Sequence, residues 1–447
     1  MRKIWVVLLF VLMVGLAGCG QVEGHIERVW DSQEMQGMTP TMPPVTPTLP
    51  LNPAPVVSVT SNIYQAANDF AFRLTSTLLG ASGDGNFVLS PFSVWLPLAA
   101  LANVTCEELL PELLGALSLD CEVPTRQINR TVRQMLGRLT NEGFSEHMPS
   151  PLSIANAIYT RDDYTLNSDF ARIFAHYFMG ELDQVNFLNP ATADIVNAWA
   201  YEHTDGRIPQ VVSPDMFNEL TAALIANAIL FQGDWRWQFE PELTTRGNFY
   251  GAQGTTQAYL MERVFDDVGN TTVMFFEDDE VEALQLLFQQ GGAMTILLPR
   301  NGDATGLLTN MNANRFEYIR TNSERATGRL VLPRFEIENE HDLLEALEAL
   351  GVPLFNPANR PLDNILEEYG HPPIFISDIF QIANIEVDEQ GATAAAVTVG
   401  IIEFQSLPPP PPATFDMVCN RPFAFVLHSW SADQTAQVLF TGVINQP

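Results

Sequence analysis

Few residues in this chain have the types and spacing that chemistry needs. Its seven histidines (His25, His147, His176, His203, His341, His371 and His428) never fall at metal-ligand spacing. There is no Gly-x-Ser-x-Gly elbow, no phosphate-binding loop and no dinucleotide fingerprint. No catalytic set is present to make it an enzyme, and no cofactor or metal is called for. The segment that stands out is Glu386–Leu407. An acidic run there ends at Gly391, and the eleven residues Ala392–Ile402 carry no charge and no proline. Nothing in that stretch removes a ladder donor, yet Ala394, Ala395, Ala396 and Gly400 offer little to pack. The five prolines Pro408–Pro412 follow almost at once. Such a segment suits a loop in one state and a strand in another.

A body must hold that segment. Of the 447 residues, 46% are hydrophobic and 10% aromatic, ample for a large packed core. Fifty-three acids against 22 bases give a formal charge of −31, which argues against nucleic-acid binding and for a solvated, self-repelling surface.

The N-terminus reads as an address rather than part of the fold. Arg2 and Lys3 precede the apolar run Ile4–Leu16, too short for a comfortable membrane span and in keeping with a signal peptide over residues 1–18. It ends in Leu16-Ala17-Gly18-Cys19, which resembles the lipobox of bacterial lipoproteins. That resemblance implies a diacylated Cys19 as first mature residue and a chain lipid-anchored to the cell envelope or surface, outside the cytoplasm. Residues 19–58 then read as a tether, with Pro40, Pro43, Pro44, Pro47, Pro50, Pro53 and Pro55 favouring extended polyproline II. At ~3.1 Å per residue its proline-rich half reaches roughly 50 Å. An oxidising compartment permits a Cys106–Cys121 bridge, but the helical look of Glu107–Leu119 argues against it. A dozen helical residues span ~18 Å, and a disulfide needs Cα atoms within about 7 Å. Cys419 reads as a buried small hydrophobe.

Residues 59–447 read as one domain of the α+β class. Ile63, Ala67, Phe70, Ala71, Leu74 and Leu78 predict an amphipathic helix over 62–79. A second, short helix is expected over His341–Leu350, stopped by Gly351. Met294–Leu298, Arg329–Leu332, Pro422–His428 and Gln437–Val443 read as strands. Helices dominate the first half and strands the second, with no evident internal repeat.

A family pattern runs through this domain. Asn86-Phe-Val-Leu-Ser-Pro-Phe-Ser93 resembles the opening of the second helix of a serpin. Val185-Asn-Phe187, Asn197-Ala-Trp199 and Thr204-Asp-Gly-Arg-Ile208 resemble the run before the serpin central sheet. Asn227-Ala-Ile-Leu-Phe-Gln-Gly-Asp-Trp235, with Phe239 and Thr244, is similar to another serpin block. Leu332-Pro-Arg-Phe335, Asn420-Arg-Pro-Phe423 and Phe440-Thr-Gly-Val443 complete the series in serpin order.

The resemblance implies the serpin fold: N-terminal helices on a large mixed sheet, two further sheets, and an exposed reactive-centre loop at about 389–415. In this family the central sheet has five strands and accepts the cleaved loop as another. It implies a suicide-substrate inhibitor of serine endopeptidases that acts as a monomer and partners its targets covalently. In the would-be strand, Ala392, Ala394, Ala396, Thr398, Gly400 and Ile402 share one face and are small or apolar. The hinge from Gly391 through Ala392, Thr393, Ala394, Ala395 and Ala396 has none of the prolines or bulky charges of serpins that have lost inhibition. This composition argues against the rival reading, a non-inhibitory serpin acting as a binding or carrier module.

Counting fifteen residues from Gly391 reaches Gln405, which puts the bait bond at Gln405–Ser406, with Phe404–Gln405 as the alternative. No basic residue lies between Gly391 and Met417. The expected targets are therefore chymotrypsin-, elastase- or subtilisin-like, with papain-like cysteine proteases as a further class. For control of sheet opening the resemblance implies a Glu389–Arg334 clasp, in which arginine offers two-pronged binding. It also implies roles for Trp235 and for a polar cluster of Asn86, Ser90, Ser93, Asn227 and Gln381. Gln381 stands where a histidine is usual, so the cluster would not titrate. Arg126, Arg130 and Arg133, with Arg138 beyond, share one side of a helix. On so acidic a chain they read as a solvated face before a polyanion site.

Overall fold

The computed structural model describes residues 4–16, 59–81, 83, 85–140, 152–267, 271–289, 291–368, 370–389, 412–429 and 436–447. The hinge from Gly391, the bait bond, Cys19 and the tether lie outside these residues.

The central sheet has six strands, in the order β12 (Phe335–Asp342), β13 (Ile374–Val387), β1 (Ile4–Leu16), β5 (Thr221–Gly233), β3 (Leu152–Arg161) and β4 (Gly180–Val185). It is mixed, because β3 and β4 run parallel and the other neighbours antiparallel. Without β1 it is the five-stranded sheet the resemblance implies. The sixth strand is unexpected. The run Ile4–Leu16, read from sequence as a signal segment, is paired between β13 and β5.

The remaining strands form one continuous ladder. It runs β2 (Phe87–Leu89), β16 (Val438–Ile444), β15 (Phe423–His428), β10 (Ala293–Pro299), β9 (Val281–Leu287), β8 (Val273–Glu277), β11 (Glu324–Pro333), β7 (Gly254–Phe265) and β6 (Thr245–Gly251). A further strand, β14 (Ala413–Val418), lies parallel to β11. The β8–β11 join is only Glu324–Ala326 against Val273–Phe275, so the ladder divides there into two smaller sheets.

Nine helices are described: α1 (Val59–Ala81), α2 (Pro91–Leu101), α3 (Leu110–Ala116), α4 (Thr125–Leu139), α5 (Ser168–Tyr177), α6 (Ala191–His203), α7 (Ala304–Thr309), α8 (Ala313–Thr321) and α9 (Leu344–Ala349). Pro91 opens α2 where its missing N–H costs nothing, and every residue of that helix is buried. α1 buries Ile63, Ala67, Phe70, Ala71 and Leu74 along one stripe.

Strand alternation divides the core in two. In β5, Ile225 and Ile229 face the main core with α2 and the second ladder. Leu224, Ala226 and Ala228 face a smaller core under α6, against Val196, Trp199 and Ala200. The alanines let α6 lie close across the sheet.

One local expectation is corrected and two others hold. His341 is in β12, not in a helix, because the alternation Phe335, Ile337 continues to Asp342 before α9 starts at Leu344. Gly351 does end α9, in the left-handed region at φ +86°. The helix between Cys106 and Cys121 covers only Leu110–Ala116, yet both cysteines are free, as is the buried Cys419.

Candidate functional site

The geometry centres on the slot between β5 and β13. A strand lying there is hydrogen-bonded on both sides and runs antiparallel to both neighbours. β1 fills it over thirteen residues, or about 44 Å at ~3.4 Å per residue. Pairing runs from Trp5–Glu386 to Leu16–Ile374 on one side and from Ile4–Gly233 to Gly15–Thr221 on the other. The ladder slips once on each side, at Met13/Val14 and at Val14/Gly15, so the regular half is nearest the carboxyl end of β13.

At that end lies a latch. Glu389 follows β13 by two residues and is only 3% exposed. Arg334 occupies the single-residue break between β11 and β12, so two strands fix its backbone. Its Nε donates to Oε1 of Glu389 at 2.8 Å, and its Nη2 forms an ion pair with the same oxygen at 2.6 Å. The two-pronged grip expected from sequence is therefore a convergence on one oxygen. Thr244 donates its hydroxyl to the same oxygen, and the Phe239 N–H donates to the Glu389 carbonyl at 3.0 Å. The Arg334 guanidinium also lies over the Tyr259 ring, 5.5 Å from its centroid. Trp235, stacked on Phe288 at 4.6 Å, donates its indole N–H to the Asp388 carbonyl at 3.1 Å. These contacts bind the end of β13 to the segment before β6 and to the β11–β12 break.

Midway along the slot is the polar cluster. Gln381 of β13 accepts from the Ser90 N–H at 3.0 Å and donates to the Ser90 carbonyl at 2.9 Å and to Ser93 Oγ at 3.0 Å. Across the slot, Asn227 of β5 donates to Asn156 Oδ1 at 2.7 Å, and Asn156 donates to the Phe178 carbonyl at 2.7 Å. The slot position opposite Gln381 is also opposite Asn227. Among the described residues, the buried Ser90 Oγ and Asn227 Oδ1 find no hydrogen-bond partner. Buried polar atoms rarely go unsatisfied; Asn227 borders that strand position directly, and Ser90 is held against its other neighbour, Gln381.

Asn86 is not in this cluster. β2 carries it away from Ser90, and its side-chain oxygen accepts from the N–H groups of Asn445 and Gln446, both at 2.8 Å. Asn156 takes its place, and the sequence did hold a signal for it. Ile-Ala-Asn-Ala-Ile occurs at 154–158 and again at 225–229. Because it reads the same in both directions, antiparallel pairing sets each residue opposite its like, Asn156 against Asn227. A short repeat is thus present where none was evident.

The α4 arginines divide. Arg126 and Arg130 are exposed, whereas Arg133 donates to Met179 Sδ at 3.5 Å and Arg138 to the Tyr64 hydroxyl at 3.4 Å. Two histidines titrate unusually. Burial pushes His428 down to about 4, aided by Arg320 and opposed by its bond to the Ser429 carbonyl. Its Nε2 meets Thr295 Oγ1 at 2.8 Å, which suits a neutral ring. Burial also lowers His341, against its bond to the Val88 carbonyl. Burial drives the Cys419 thiol far up, leaving it inert.

A family model described as serpin (serine protease inhibitor) matches residues 65–447. The chain belongs to the serpin family, whose members act on proteases as pseudo-substrate inhibitors rather than as catalysts, trapping them as the reactive loop enters the central sheet. Alaserpin of Manduca sexta is 31% identical over 381 residues, covering 82% of this chain and 90% of that relative. Native protease nexin-1 with heparin superposes with a TM-score of 0.71 at 20% identity, over 87% of this chain and 100% of the other. Human thyroxine-binding globulin superposes equally well, TM-score 0.71 at 20% identity over the same shares, so fold alone does not separate trapping from carrying. Among the described residues, no helix is long and apolar enough to cross a membrane.

Proposed function

We propose that this chain traps extracellular serine proteases of chymotrypsin-, elastase- or subtilisin-like preference, using Gln405–Ser406 as bait. One observation carries the reading: the slot takes an uncharged thirteen-residue strand antiparallel to both neighbours. A four-residue turn, Asp388–Gly391, would return the loop alongside β13 with Ala392 opposite Val387 and Thr398 opposite Gln381. Ala392–Phe404 then fills the slot, and its first charge, Glu403, falls at the last turn of the ladder. In this register Thr398 brings a hydroxyl between Gln381 and Asn227, where Ser90 Oγ and Asn227 Oδ1 lack partners. The face holding Ala392, Ala394 and Ala396 is the one turned to the main core, since Ile379, Ala383 and Ile385 of β13 face it too.

The chemistry belongs to the protease. Its serine attacks the Gln405 carbonyl, the Ser406 amine leaves, and Gln405 remains as an ester on the enzyme. Insertion then carries that ester about 44 Å along the sheet before water can resolve it. No basic residue lies near the bond, which disfavours trypsin-like targets. The Leu16-Ala17-Gly18-Cys19 run supports a bacterial lipoprotein, with Cys19 lipidated and the domain held off the envelope by residues 19–58.

The test is incubation with chymotrypsin, elastase, subtilisin and trypsin, followed by denaturing gels and mass analysis. The expected result is an SDS-stable adduct with at least one of the first three and a released peptide beginning at Ser406. Clean cleavage with neither adduct nor gain in thermal stability would refute trapping and favour the carrier reading.

A further inference from the structure

A second cluster of titratable side chains lies apart from the slot and the latch. Glu181 of β4 meets Trp199 and His203 of α6 at the edge of the central sheet. The Trp199 indole N–H donates to Glu181 Oε2 at 3.2 Å, and His203 Nε2 stands 3.5 Å from Glu181 Oε1. We infer that this cluster is a proton-operated pin, which fastens α6 to β4 in acid and loosens its hold at neutral pH. The pin goes beyond the trapping reading and acts whether or not the chain traps a protease.

The tautomer carries the argument. His203 Nδ1 lies 2.9 Å from the Trp199 carbonyl. A carbonyl only accepts, so the neutral ring holds its proton on Nδ1 and turns the Nε2 lone pair towards the carboxylate. Two acceptors then face each other, which accounts for 3.5 Å in place of a hydrogen bond of ~2.9 Å. Protonation puts an N–H on Nε2, and the same pair becomes a charge-assisted hydrogen bond. The Trp199 ring, 4.7 Å from the imidazole between centroids, and the carboxyl end of α6 both favour the cation.

The surrounding charges do not compete for that proton. On β3, burial and then the carboxylates of Asp183 and Glu181 drive the Tyr159 hydroxyl far above its ordinary value, so it stays neutral. Leu224, Ala226 and Ala228 of β5, beneath α6, are uncharged. Asp183 lies two residues along β4, Asp194 and Glu202 are on α6 itself, and Asp205 and Asp215 follow it. Arg207 pairs with Glu386 of β13 at 3.7 Å. That last pair extends the reach of the pin. β3 and β5 lie between β4 and β13, yet Arg207 follows His203 by only four residues. Phe380 and Ile382 of β13 also pack against the core beneath α6. The chain leaving α6 is thus a strap across the sheet. An arginine, whose charge does not titrate, ties it to β13, and a histidine ties it to β4 in acid.

The experiment sets the mature chain beside Glu181→Gln and His203→Gln. Ring nitrogen-15 shifts assign the His203 tautomer at about pH 8, and amide exchange in α6, corrected for intrinsic rates, is followed down to about pH 5.5. The expected result for the parent is a proton on Nδ1 at the upper pH and roughly three- to fivefold greater protection of α6 at the lower, a modest gain because the Glu181 side chain is 61% exposed. Both variants should lose that gain. An amide in place of Glu181 can donate to the neutral ring and accept from the charged one, and an amide in place of His203 does not titrate. His428 moves global stability the other way in acid, so the gain is read as the difference from Glu181→Gln, which leaves His428 untouched. A proton on Nε2 at the upper pH, or an equal gain in the parent and in Glu181→Gln, overturns the pin.

Discussion

Arg334→Ala tests the latch most directly. Glu389 is buried, and its Oε1 receives the Arg334 Nε–H and the Thr244 hydroxyl and is ion-paired with Arg334 Nη2. Removing Arg334 leaves a buried carboxylate with that hydroxyl as its side-chain donor. Breaking a buried pair from one side costs about 3–5 kcal/mol. Because the Arg334 side chain is 44% exposed and screened by water, about 2 kcal/mol is the better figure here. The loss falls on the closed sheet, because loop entry at Ala392 must move the chain that Glu389 anchors. If the latch is fully broken at the barrier, entry of the strand speeds up by roughly 30-fold, since each 1.4 kcal/mol is a factor of ten. The assay is the rate at which the mature chain's own loop enters the sheet after it is cut, read as the gain in thermal stability with time, with Glu389→Gln and the double variant alongside. Glu389→Gln should show a smaller effect, because an amide keeps a hydrogen bond to Arg334. The double variant should cost less than the sum of the singles. A rate for Arg334→Ala within twofold of the parent would refute the reasoning.

Stability should fall as the medium is acidified, because buried His428 stays neutral down to about 4 while the unfolded ring protonates near 6.5. The contribution is fully present above pH 6.5 and is lost towards pH 4, about 3 kcal/mol in all; denaturant midpoints across that range should flatten in His428→Gln. Asn156→Ala takes the acceptor from Asn227 and the donor from the Phe178 carbonyl, and should lower stability by about 2–3 kcal/mol. An unchanged urea midpoint would count against the pairing. Thr398→Val keeps shape but removes the hydroxyl, so the native form should melt as before while the cleaved, inserted form loses about 1–2 kcal/mol. Calorimetry of both forms checks this. A Cβ at Gly328 would lie 2.0 Å from the Phe415 carbonyl oxygen of β14. Gly328→Ala should therefore loosen β14, read as a lower melting temperature and faster loss of trapping activity on storage.

The parts legible in the sequence were those fixed by local pattern or by family blocks. Arg334 follows Leu332-Pro333 at a strand end and Glu389 lies two residues past β13, and their pairing was legible through the family resemblance. The helix over 62–79 and the strands at Met294, Arg329, Pro422 and Gln437 carried their own periodicity. Asn86 was misplaced because nearness to Ser90 along the chain was taken for nearness in space, whereas an intervening strand carries residues apart at ~3.3 Å each. Asn156 was overlooked because an asparagine between alanines in an apolar strand reads as a gap in the pattern until its twin at 227 is noticed. Ile4–Leu16 shows the limit of composition. An uncharged apolar run satisfies a signal peptide and a middle strand alike, and only the pairing with β5 and β13 distinguishes the second use.

The two strands that flank residues 390–411 are moored unequally. β13 has neighbours on both sides, while β14 pairs along its six residues with β11 alone among the described strands. Suppose Ala392–Phe404 entered the slot with the bait bond whole. The return leg Gln405–Pro412 would reach at most about 29 Å, short of the ~44 Å from the far end of the slot. Releasing β14 adds about 20 Å, enough to close the gap. On the trapping reading proposed above, spontaneous discharge would wait on peeling one short parallel strand, and the strength of that strand would set the shelf life of the armed protein.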